Sequence, residues 1–135
     1  MAAILLASAG CRHAPDEQRL SETVVTMQRA VEAREPRRFM DHVDATFTAN
    51  DGTLDREGLH DLLRAEVLRN ERIGVTLGPA EVVLHGDRAT LNLTVTLIGG
   101  ASWIPERGAV YAVESGWKKV AGQWRCIGAH WTQKL

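Results

Sequence analysis

Residues 109–132 read AVYAVESGWKKVAGQWRCIGAHWT, two apolar-rich arms on either side of Ala121-Gly122. A two-residue turn at that point sets Val120 opposite Gln123, and counting back along both arms fixes the register of a hairpin. On this count Tyr111, Val113, Ser115 and Trp117 share one face with Thr132, His130, Gly128 and Cys126. The other face carries Val110, Ala112, Glu114, Arg125, Ile127, Ala129 and Trp131. A one-residue bulge would exchange the faces of one arm.

Working back from the hairpin, Leu91, Leu93, Val95 and Leu97 alternate with Thr90, Asn92, Thr94 and Thr96, the period of a strand with one buried face. Further strands are expected over 73–77 and 80–84. His85-Gly86-Asp87 and Ala121-Gly122 leave room only for tight turns, so an antiparallel sheet is expected. Residues 99–108 contain glycines and a proline and predict a long loop, in which Trp103 either folds back to cap the core or serves as a pocket lid or partner contact.

The first half has helical periodicity instead. Pro15-Asp16-Glu17 places acids at a helix start, and Leu20, Val24, Met27 and Val31 follow as one stripe. Pro36 opens a second, shorter helix through Phe39, Met40 and Val43, with Asp44 at its end. A short strand over 45–48 and the turn Asn50-Asp51-Gly52 lead to Asp55, a suitable N-cap for a third helix buried through Leu59, Leu62, Leu63 and Val67. Arg56, Arg64, Arg69 and Arg72 read as its solvated face.

The chain has 135 residues, 44% apolar and 24% charged, which suits one globular domain over residues 16–135. Sixteen basic and seventeen acidic residues give a net charge of -1 with no basic block, so nucleic acid is not an expected partner. Two distant cysteines predict no internal disulfide. Residues 1–11, MAAILLASAGC, resemble a bacterial lipoprotein signal, with Ala9-Gly10-Cys11 matching the cleavage and lipidation pattern. That resemblance implies a signal and short tether over residues 1–15, lipid attachment at Cys11, and a location in the bacterial envelope facing the periplasm. Cytoplasmic residence is the alternative if the segment is no signal.

The early helix, the run Asp44-Ala45-Thr46-Phe47 through Asp51-Gly52 into the third helix, and the closing Gly122-Gln123-Trp124-Arg125-Cys126-Ile127 together resemble the NTF2-like superfamily, with its SnoaL-like and ketosteroid-isomerase-like groups. The resemblance implies an α+β cone, three N-terminal helices packed on a strongly curved antiparallel sheet, with a cavity at the open end. It also implies a homodimer through the outer face of the sheet, for which Ile127 and Trp131 are the candidate interface residues.

Within such a cavity Tyr111, Val113, Trp117, Cys126, His130 and Trp103 are the candidate ligand contacts. His130, Tyr111 and Asp44 are the candidate catalytic residues. An imidazole titrates near neutral pH, and Asp41 and Asp44, at i and i+3, could form a carboxylate pair on one helix face. The isomerases of the superfamily add a tyrosine and a protonated acid. Tyr111 is the only tyrosine here, and Glu114, three positions on, points to the opposite face. No histidine spacing suggests a metal, and no cofactor is expected. The expected function is binding of a small apolar or amphipathic molecule. An acid-base enzyme using His130, or a module that associates through its sheet, is the alternative.

Overall fold

The computed structural model describes residues 15–101 and 104–135. Helix α1 (Asp16–Glu32) begins with two acids at the positive end of its dipole and buries Leu20, Met27 and Ala30. Arg34, at φ 62°, turns the chain, and Pro36 takes the first position of α2 (Pro36–Met40). Helix α3 (Arg56–Arg69) is capped as its sequence predicts: Gly58 N donates to the Asp55 carboxylate at 2.8 Å.

Seven strands form one sheet. They are β1 (Val43–Ala49), β2 (Leu54–Asp55), β3 (Arg72–Leu77), β4 (Glu81–His85), β5 (Arg88–Ala101), β6 (Ile104–Val120) and β7 (Gln123–Gln133). The order is β2-β1-β7-β6-β5-β3, and β4 also pairs with β5. The sheet is mixed rather than purely antiparallel, because β1 lies parallel to β7. Tight turns dictate antiparallel pairing only between neighbours in the chain, and β1 reaches β7 from the far end of the sequence. Strand runs on through Gly99, Gly100 and Ala101 and resumes at Ile104, where a long loop was expected. Trp103 lies outside the described residues.

The helices cover the concave side. Leu20, Met27, Met40, Val43, Phe47 and Leu59 meet Leu91, Trp117, Trp124 and Cys126 in one buried cluster. Helix α1 also closes the β3 edge. Gln28 Nε2 donates to Val75 O at 2.6 Å, and Val75 N donates to the Glu32 carboxylate at 3.0 Å. These bonds satisfy backbone groups that an edge strand would otherwise offer to another chain.

The β6–β7 hairpin starts in the expected register, Val120 opposite Gln123, across Ala121 and Gly122 at φ 52° and 80°. Trp117 still faces Cys126, but the next pair is Gly116 with Gly128, so Ile127 is an extra residue on β7. From there to its end the arm is exchanged. Trp131 lies opposite Val113, on the concave face, and His130 opposite Glu114, on the convex one. The placement of His130 in the pocket and of Trp131 on the outer face is thereby corrected, for the physical reason that one unpaired residue reverses the alternation of all that follows. Ile127 stays on the convex side, its Cγ1 3.9 Å from where a Cβ on Gly116 would lie, an ordinary van der Waals distance.

Candidate functional site

Between helices and sheet lies a cavity of about 580 Å³. Its floor is Trp117, Cys126, Leu91 and Phe47. Leu93, Val95, Val113 and Trp131 wall it from the sheet, and Met27, Val31, Leu59 and Leu63 from the helices. Glu66, Arg69, Asn70 and Arg107 supply polar groups at its edge. Strand alternation directs these sheet residues inward, as the spacing of residues 91–97 predicts.

The polar groups near the floor are occupied. Trp117 Nε1 donates to Ser115 Oγ at 2.8 Å, and that hydroxyl donates to Leu91 O at 3.0 Å. Burial pushes the Cys126 thiol up to about 12, and the thiol donates to Gly128 O at 3.4 Å. Such a thiol is a packing group rather than a nucleophile. Tyr111 differs: half-buried on the same wall, it has no hydrogen-bond partner for its hydroxyl among the described residues.

Asp44 is not at a helix end and does not line the cavity. It is the second residue of β1, so it shares no helix face with Asp41. Its carboxylate accepts from Thr46 Oγ1 at 2.6 Å, Thr46 N at 3.1 Å and Arg125 Nε at 3.2 Å, with Lys118 Nζ at 3.6 Å. The Thr46 bonds, aided by the nearby cations, hold the carboxyl down at about 2. A base so weak and so fully engaged serves the fold. β1 bulges here: five steps from Val43 to Thr48 stand against two from Cys126 to Gly128. Arg56 is no wet-face residue either, since it donates to Val43 O and Met40 O at 3.1 and 2.9 Å.

His130 is exposed in a shallow convex groove with Glu81, Asn92, Glu114 and Thr132. Asn50 is the residue that sequence reasoning missed: its side-chain oxygen accepts from Trp131 N at 3.1 Å and its own N–H donates to Ala129 O at 3.0 Å. The turn signal at Asn50-Asp51-Gly52 marks the position, but the bond reaches across 81 residues of sequence. Of the candidate contacts, Tyr111, Val113, Trp117 and Cys126 line the cavity, His130 does not, and Trp103 and Cys11 are outside the described residues. No described group of three His, Cys, Asp or Glu side chains could hold a metal ion. No described helix is long and apolar enough to cross a membrane.

No protein-family model and no curated protein matches the sequence. Solved structures do match. A candidate dehydratase of the NTF2-like family from Streptomyces avermitilis is 15% identical, with 89% of this chain and 97% of that one covered at a TM-score of 0.78. A candidate scytalone dehydratase from Novosphingobium aromaticivorans is 10% identical, covering 89% and 85% at 0.76. The CaMKII hub of S. rosetta is 17% identical, covering 91% and 100% at 0.75. The fold is therefore the NTF2-like, cystatin-like α+β fold, shared with candidate dehydratases and with association domains alike.

Proposed function

We propose that the protein binds one small apolar or amphipathic molecule inside the cone. The observation that carries this reading is the cavity of about 580 Å³, within the ~300–1,000 Å³ usual for ligand sites and walled almost wholly by aliphatic and aromatic side chains. Packed interiors leave few voids larger than a water molecule, so a space of this size suits an occupant. Catalysis finds less support. No described histidine lines the cavity, and the described titratable side chains that do, besides two arginines, are Tyr111, the high-pKa Cys126 and Glu66.

Titration with N-phenyl-1-naphthylamine tests the proposal. Saturable one-site binding is expected in the native protein, and its loss in Leu93→Trp, a variant that fills the cavity from β5. Absence of binding by the folded native protein sinks the reading.

Self-association through the convex face is a second reading, supported by the likeness to association domains and by Ile127 and the exposed Val83. Sedimentation across a concentration range tests it, with Ile127→Ser expected to shift any dimer toward monomer. We further propose, on the Ala9-Gly10-Cys11 pattern alone, lipid anchoring in a bacterial envelope. Mass analysis of the native protein decides it: residues 1–10 found intact refute the anchor.

A further inference from the structure

We infer that the occupant is an acid, a long amphiphile whose carboxylate lies at the cavity edge against Arg107 while its tail runs down toward Trp117. This inference rests on the ligand-binding reading above. Along β6 the cavity is lined by Arg107, Ala109, Tyr111, Val113, Ser115 and Trp117, a walk of about 30 Å along the strand. Charge sits at one end of that walk and a buried indole at the other. Between them the neighbouring strands contribute Val95, Leu93 and Trp131, so one side of the cavity is graded from ionic to apolar.

The charge at the edge has a sign. Among the described residues two arginines and one carboxylate line the cavity, and the carboxylate, Glu66, is paired with Arg69 one helical turn on. Arg107 is exposed and has no ion-pair or hydrogen-bond partner among the described residues. Among the described residues the edge is thus left with one unneutralised guanidinium, whose planar fork matches a carboxylate. Arg34 adds positive charge nearby, since it donates to Asn70 O beside the cavity. An ammonium head would meet repulsion there, and a neutral head would gain no ion pair. Tyr111, two steps below Ala109, offers its free hydroxyl as a second polar contact or to a hydroxyl carried along the chain.

Calorimetry with the full-length protein at pH 8, using dodecanoate, dodecan-1-ol and dodecylamine, tests the inference. Dodecanoate is expected to bind about tenfold tighter than either of the others, a gap that narrows as salt is raised. In Arg107→Gln the advantage should shrink to about twofold with the alcohol unaffected, and Arg107→Lys should keep part of it. Equal affinity for acid and alcohol in the native protein, or a gap that survives Arg107→Gln, overturns the acid and leaves the cavity reading standing. If none of the three binds, both fall together.

Discussion

Asp44 shows how one carboxylate can matter without touching the cavity. Its Thr46 bonds brace β1 itself and its Arg125 and Lys118 contacts tie β1 to β7 and β6, and Asp44→Asn takes the carboxylate away from both cations. A loss of about 1–3 kcal/mol in urea denaturation is expected. The pH dependence has a definite sign. The folded carboxyl is lowered from 3.8 to about 2, so its stabilisation is complete above the unfolded value and disappears as pH falls between the two. His42 acts earlier: burial, opposed by Asp41, lowers its pKa from 6.5, so the unfolded chain takes up that proton first and stability declines once pH drops below that value. An acid titration followed by circular dichroism should show a shallow decline below 6.5 and a steeper one below about 4. Asp44→Asn should weaken the second, to which Asp16 also contributes through its bond from Lys119, and leave the first.

Cys126 makes a chemical prediction at the same scale. With its thiol pushed up to about 12, it should resist iodoacetamide at pH 8 in a Cys11→Ser background and react once the chain is unfolded. Ala121 makes a conformational one. It holds φ 52° in the hairpin turn, a region that costs an L-residue roughly 1 kcal/mol, so Ala121→Gly should raise stability by about 0.5–1 kcal/mol.

At the scale of elements, the same hairpin separates what was legible in the sequence from what was not. The turn, the start of the register and the inward row from Tyr111 to Trp117 follow from local chemistry, because Ala121-Gly122 and period-2 alternation act over a few residues. The extra residue at Ile127 has no comparable signal. Its position is held by Cys126 N donating to His42 O at 2.8 Å and by the Asn50 clamp on Trp131, both of them contacts with another part of the chain. For the same reason Asp44 read as a helix end: its bond to Arg125 spans 81 residues. Removing Ile127 should test the bulge directly. With the extra residue gone, strict alternation runs from Cys126 to Gly128 and keeps Trp131 inward and His130 outward, so the deletion should cost no more than about 1–3 kcal/mol and leave unfolding cooperative. Gln28→Ala and Glu32→Ala should each cost about 1 kcal/mol, because each frees one backbone group of Val75 at the β3 edge.

For the whole molecule, the order of helices followed by a meander carried the architecture, since amphipathic helices must cover the apolar face of the sheet. Neither the cavity volume nor the unpaired charge at its edge could be read from that order. Both depend on how far the sheet curves and on which side chains the bulge directs inward. The inward turn of Trp131 has an optical consequence. Trp131 and Trp117 line one wall at different heights, opposite Val113 and beneath it, about 13 Å apart along β6, whereas Trp124 is packed at the closed end beside Lys119. Single-tryptophan versions of the protein would carry a graduated dipstick in which emission from position 131 responds to short occupants and emission from position 117 changes only when a tail reaches the bottom.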